Sequence, residues 1–264
     1  MIKKVYSKVR TRFKSKELFP ENEELLRLFG SKNKGYILGT SESILKFDLT
    51  ALEKDALKIS VGNFYEHADI EKIRPSIHIF AASHPPITPK VLRNWWSRCH
   101  EVLPLKVPIL VALEDREVAL QSFPGRAVYF YKYGGDFPID FRTKILAPWS
   151  VSVLVVQLSL FLRTKQTFLL GVDHDWRHMK PYQHFYSHEE PCLEYYLYKE
   201  GLYKSLKTPT KMNIPPKSSL YKFYELYQQH EQLRTYSEEI GLKVYNGDLS
   251  SIFDVYDKKD YTPF

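Results

Sequence analysis

Four of the nine histidines, His174, His178, His184 and His188, fall within fifteen consecutive residues. Imidazole titrates near neutrality, so a histidine held over a substrate can take the proton of a sugar hydroxyl as that oxygen attacks an activated donor. Taken singly, each position reads as a surface histidine; the cluster reads as function. Tyr182 and Tyr186 are interleaved with it, and phenolic hydroxyls can hydrogen-bond a departing phosphate without help from a cation. The pairs 174/178 and 184/188 share an i,i+4 spacing that on helices could present two imidazoles to one metal. Pro181 separates the pairs and no HExxH occurs, so no metal is expected. If a cation is held at all, Asp173-x-Asp175 imitates the carboxylate pair with which many nucleotide-sugar transferases hold one. The competing role for Asp173 is to cap the turn that comes after it.

A second constellation lies early in the chain. The apolar run Tyr36-Ile37-Leu38 leads into Gly39-Thr40-Ser41-Glu42-Ser43. Such a loop can cradle phosphate: Gly39 permits close backbone approach, Thr40, Ser41 and Ser43 offer hydroxyls, and a following helix N-terminus favours an anion. It is neither GxGxxG nor a P-loop, and an ordinary strand-to-helix turn explains it equally. Asn63, just beyond the next strand, is placed to read a sugar or base edge, or simply to make a turn.

These residues need elements to position them, and the organising stretch is 150–175. Residues 151–162 are apolar except Ser152, Gln157 and Ser159, which predicts a helix in the interior. Residues 167–172 then read as a buried strand, with Asp173-His174-Asp175 at its carboxyl end, where open α/β sheets bind ligands. Further strands are expected near 34–38, 58–61, 76–81, 108–112, 127–131 and 242–245. Helices are expected at 21–29, at 89–99 (with one of Trp95 and Trp96 facing the core and one the surface) and at 219–240. Alternation of this kind predicts an α/β fold: a doubly wound, mainly parallel Rossmann-like sheet. Residues 176–218 break the pattern, except for a helix near 189–206, and are aromatic-rich; they read as a lid inserted after the central strand. The expected organisation is a basic N-terminal helical arm over 1–30 and a catalytic domain over 31–264.

Composition narrows the partners. The net charge is +7, and residues 1–16 carry seven bases and no acid; without them the chain holds 31 bases against 31 acids. A neutral body argues against nucleic acid as partner. The arm, with Ile2, Val5, Val9 and Phe13 at helical spacing, suits an anionic membrane surface or packing on its own domain. Two cysteines, no secretory signal and no apolar run long enough to span a bilayer point to a cytoplasmic protein, peripheral at most on the inner face of the plasma membrane.

The order YILGTSESIL, SVGNFY, SVSVLVVQLSLFL with TFLLGVDH, HFY and LRTYSEEIGLKVYN, spread over 34–256, resembles the domain-of-unknown-function-115 group. That group is also labelled 6-hydroxymethylpterin pyrophosphokinase-like and is associated with surface-polysaccharide synthesis. It is similar in layout to the bacterial sialyltransferases of glycosyltransferase family 42. The resemblance implies a metal-independent, cofactor-free transferase that uses a CMP-activated ulosonic acid of the sialic acid or Kdo class. The acceptor would be a glycan or lipid-linked glycan in polysaccharide or lipopolysaccharide synthesis. Gly39, Thr40, Ser41, Ser43 and Asn63 would then hold the nucleotide, with Ser150 and Ser152 at the start of the central helix. Asp173 and His174 would flank the donor, and Tyr182 and Tyr186 would bind its phosphate. His184-Phe185-Tyr186-Ser187-His188 resembles the H-Y-x-G-H segment of those enzymes, which makes His188 the base and His184 its reserve. Thr40-Ser41-Glu42-Ser43 departs from their usual N-G-P-S. The alternative is a pyrophosphokinase-like enzyme moving diphosphate from ATP to a small alcohol such as a pterin, with Mg²⁺ on Asp173 and Asp175.

Overall fold

The computed structural model describes residues 17–174, 183–205 and 217–261, the last with side chains from 221. The arm 1–16, His178 and two expected site residues, Asp175 and Tyr182, lie outside these. The first half contains α1 (Glu23–Phe29), β1 (Lys34–Leu38), β2 (Leu57–Val61), α2 (Ile70–Ile73), β3 (Ile77–Ile79), α3 (Pro89–Val102) and β4 (Ile109–Ala112). Next come α4 (Arg116–Ser122), β5 (Val128–Tyr133), β6 (Lys144–Ile145), α5 (Val151–Phe161) and β7 (Gln166–Leu170). The chain closes with α6 (Leu193–Lys199), α7 (Lys217–Glu239), β8 (Lys243–Asn246) and β9 (Asp257–Lys258).

The nine strands form one sheet in the order β6-β5-β4-β3-β2-β1-β7-β8-β9, and every pairing is parallel. The chain therefore winds outward from β1 to β6, returns through α5, and winds the other way from β7. The reversal falls between β1 and β7, whose last residues Leu38 and Leu170 are in register. Connections leaving adjacent strands in opposite directions make this the topological switch point, where such sheets usually hold a ligand in a crevice.

Side-chain alternation divides the interior in two. Ile37 belongs to the core shared with α1, α5 and α7 (Leu25, Val155, Leu233), whereas Tyr36 and Leu38 belong to the core on the other face, shared with α3 and α4 (Trp96, Ala119). The polar residues interrupting the apolar α5 all find partners, as buried polar groups must. Gln157 accepts from the Leu146 amide at 3.1 Å and donates to its carbonyl at 3.2 Å, and Ser159 bonds the Thr167 hydroxyl.

Three local expectations change. Trp95 and Trp96 are both buried, because α3 is flanked by α4 and α6 as well as by the sheet. The lid helix is confined to Leu193–Lys199: Pro191 disfavours helix just before it, and Gly201, at φ +69°, ends it. Residues 17–30 belong to the body rather than to an arm, since Leu25 is in the core and Asn22 Nδ2 donates to the carbonyls of Phe130 and Phe141.

Candidate active site

The loop after β1 crosses the loop after β7. Gly39 donates its amide to Leu170 O at 2.8 Å, and a Cβ at Gly39 would stand 2.1 Å from the Gly171 carbonyl oxygen. The close approach that requires glycine at 39 is thus strand to strand. Ser43 donates to the Asp173 carboxylate across the same switch point, and the Asp173 amide donates to Ser41 Oγ at 3.4 Å. The loop runs on into a 3₁₀ turn, Glu42–Lys46, and not into the expected α-helix N-terminus.

The lid returns to this loop. Glu42 donates its amide to Gln183 O at 3.0 Å, Phe185 donates to Thr40 O at 3.1 Å, and Ser41 and His184 form an antiparallel bridge. His184 Nδ1 also lies 3.3 Å from Thr40 O. Its ring stacks on Tyr186 (centroids 4.7 Å apart, planes at 17°) and meets His188 at 5.5 Å and 50°. Burial is the main cause lowering the His184 pKa, with the Glu194 carboxylate and the Thr40 carbonyl opposing it and His188 adding to it.

Beneath the lid, Asn63 is buried and fully engaged. Its Nδ2 donates to Glu194 at 3.4 Å, and its Oδ1 accepts from the Trp95 indole and from Tyr65 Oη at 3.4 Å. A cleft of about 560 Å³ opens beside the histidines. Phe185, Tyr186 and Ser187 line it from the lid, opposite Phe47, Glu66 and Asp69.

Ser150, Ser152 and His174 assemble separately. Ser150 caps α5, accepting from the Val153 amide at 3.5 Å, and its hydroxyl bonds that of Ser152. Ser152 Oγ then lies 2.8 Å from His174 Nε2 and 2.9 Å from His230 Nε2, and His230 Nδ1 lies 2.9 Å from Tyr256 Oη. His174 has a left-handed backbone (φ +44°) and keeps some accessible surface. Its ring is nevertheless enclosed by Phe253, His230 and Ser152, and burial pushes its pKa down to about 4. His230, wholly buried, is pushed well below 6.5 by burial and then by His174.

The lid histidines, Tyr186, the Gly39–Ser43 loop and Asn63 therefore meet at one place, while Ser150, Ser152 and His174 form a neighbouring buried chain joined to that loop through Asp173. Sequence reasoning missed Glu194, Trp95, His230 and Tyr256. Glu194 lies six residues beyond His188 and extends the cluster to H-x3-H-x5-E, a readable signal. His230 and Tyr256 carry none, because only folding brings them to residue 152.

No family model matches the chain, and no curated protein matches it. Solved structures do. The monofunctional α-2,3-sialyltransferase Cst-I from Campylobacter jejuni superposes with a TM-score of 0.52 at 11% identity, over 90% of this chain and 85% of that one. A variant of the sialyltransferase CST-II in complex with CMP gives 0.50 at 13% identity, over 88% of each chain. The chain shares the fold of these two structures. At these identities the likeness is one of fold. Among the described residues, no helix is long and apolar enough to cross a membrane.

Proposed function

We propose that this chain is a glycosyltransferase that moves an ulosonic acid from a CMP-activated donor to a hydroxyl of a glycan or glycolipid. The observation that carries the reading is the pairing of residues 183–185 with the loop beyond β1. It brings the segment that carries His184, Tyr186 and His188 to the carboxyl end of β1, beside the turn into the loop beyond β7. In this reaction His188 takes the acceptor proton while the acceptor oxygen bonds to the donor's anomeric carbon. The bond from that carbon to the phosphate oxygen breaks, and CMP leaves with the electron pair. Tyr186 meets the charge developing on the phosphate; Gly39, Thr40, Ser41, Ser43 and Asp173, where the two loops meet, take the nucleotide, and Ser150, Ser152 and His174 support them from the buried side. The cleft beside Tyr186 gives room for the acceptor. Support for the class comes from the shared fold of Cst-I and of the CMP-bound CST-II variant. Calorimetric titration with CMP, CDP, UDP and ATP tests the reading: CMP should bind most tightly, and a clear preference for ATP or UDP would remove it.

The basic segment 1–16 extends the proposal to the acceptor's location. Seven bases, each contributing about 1 kcal/mol near an anionic bilayer, would hold the enzyme reversibly at a lipid-linked acceptor. Deletion of 1–16 should abolish flotation with anionic liposomes at low salt and leave CMP affinity unchanged; equal flotation of the truncated protein would refute the membrane role.

A further inference from the structure

His184, His188 and Glu194 converge: one ligand atom from each lies within 4.8 Å of the other two. In a tetrahedral zinc site, with bonds of about 2.0–2.1 Å, ligand atoms stand about 3.4 Å apart. Closing the cluster thus asks for movements of about 1 Å, within reach of ordinary side-chain torsions. All three residues are half-buried, held by neighbours yet reachable from solvent.

The surroundings already orient the ligands. Thr40 O, 3.3 Å from His184 Nδ1, has no proton to give, so Nδ1 carries the hydrogen and Nε2 is the nitrogen able to coordinate. Metal-binding imidazoles characteristically donate their second N–H to a backbone carbonyl in this way. The Glu194 carboxylate accepts from Asn63, whose amide is in turn fixed by the Trp95 indole. The stacked Tyr186 ring sets the plane of His184.

We propose that His184, His188 and Glu194, brought together where the lid pairs with the loop beyond β1, bind one divalent transition-metal ion. Two imidazoles and a carboxylate favour Zn²⁺ and its neighbours Co²⁺, Ni²⁺ and Cu²⁺ over Mg²⁺ or Ca²⁺. Three protein ligands leave a fourth position for water. A consequence rests on the function proposed above: an ion that takes the His188 lone pair competes with the acceptor proton, so zinc inhibits transfer.

The test uses tag-free, full-length protein titrated with Co²⁺. Visible absorption should develop, saturate at one equivalent and disappear on adding Zn²⁺. His184→Ala and Glu194→Ala should each weaken binding at least tenfold. Absence of a saturable band, or unchanged affinity in the His184→Ala/His188→Ala double variant, would overturn the site. A measurement needing no variant is protection from diethylpyrocarbonate: Zn²⁺ should shield His184 and His188, and equal modification with and without the ion would also overturn it. The two readings separate cleanly. One-equivalent binding without inhibition supports the site and removes His188 as the base. Neither binding nor inhibition removes the site and leaves the base untouched.

Discussion

Two pairs of histidines stand in nearly the same mutual geometry, with rings 5.5 Å apart at 50° for His184/His188 and 5.6 Å apart at 53° for His174/His230. Their surroundings differ. The lid pair is half-buried, stands near the Glu194 carboxylate and flanks Phe185, Tyr186 and Ser187, which line a cleft. The other pair is held by Ser152 and Tyr256 and packed on Phe253, with His230 fully enclosed. Burial keeps both of its imidazoles neutral, and the hydrogen bonds tie four parts of the chain together: the start of α5, the exit of β7, the middle of α7 and the segment entering β9. Ring separation alone therefore does not distinguish the pairs. What differs is burial and the carboxylate beside the lid pair.

The sharpest way to break this contrast is by substitution in the lid. His188→Ala should lower turnover by about 10²–10⁴-fold, the usual worth of a general base, with CMP affinity unchanged. Steady-state kinetics beside calorimetry checks this, and full turnover would leave the two pairs functionally alike.

The buried pair should instead appear in the pH dependence of stability. His174 has its pKa pushed down to about 4 and the wholly buried His78 to about 3, each from an ordinary 6.5, while His230 is displaced in the same direction. Below pH 6.5 the unfolded chain takes up protons that the folded chain refuses. Their contribution is thus complete above about pH 6.5 and is lost as pH falls through about 4. Each such histidine adds up to about 1.4 kcal/mol per pH unit to the slope. Urea unfolding between pH 4.5 and 7.5 measures the slope, and His230→Gln should flatten it. An unchanged slope in that variant would mean that the pair is not buried neutral.

Ser152→Ala removes the hydroxyl shared by His174 and His230 and leaves buried ring nitrogens without that partner. The expected cost is about 1–3 kcal/mol in denaturant unfolding. Trp95→Phe should have the smallest effect, about 0.5–1.5 kcal/mol, since it removes one indole donor from Asn63 and keeps most of the packing. A cost for Trp95→Phe well above that of Ser152→Ala would reverse the assignment of which region is structurally stiff.

Much of the fold was legible. Apolar runs bounded by Gly, Pro or Asp marked β1, β4 and β7, and the near-continuous apolar stretch marked α5 as interior. The strand pattern led to a doubly wound parallel sheet, which is what the chain forms. Proximity was legible where it is local: His184, Tyr186 and His188 lie on one short segment, and the Gly39–Ser43 loop follows directly on an apolar strand. One of Trp95 and Trp96 was expected at the surface, but both are buried: helical periodicity records one buried face, and α6 covers a second.

Residue order alone marked β1 to β5, β7, β8, α1, α3, α5 and α7 but not α2, α4, β6 or β9, because hydrophobic period, proline restriction and turn chemistry act over a few residues and short elements carry little of these. Only the tertiary structure decided that the sheet reverses between β1 and β7, and it is this reversal that sets Ser43 against Asp173 across 130 residues of sequence. It likewise decided that two similar histidine pairs should meet different fates. An imidazole's charge and reach depend on burial and on the nearest carboxylate; Glu194 is local to the lid pair, but the burial of His174 and His230 comes from chain segments that local sequence does not contain.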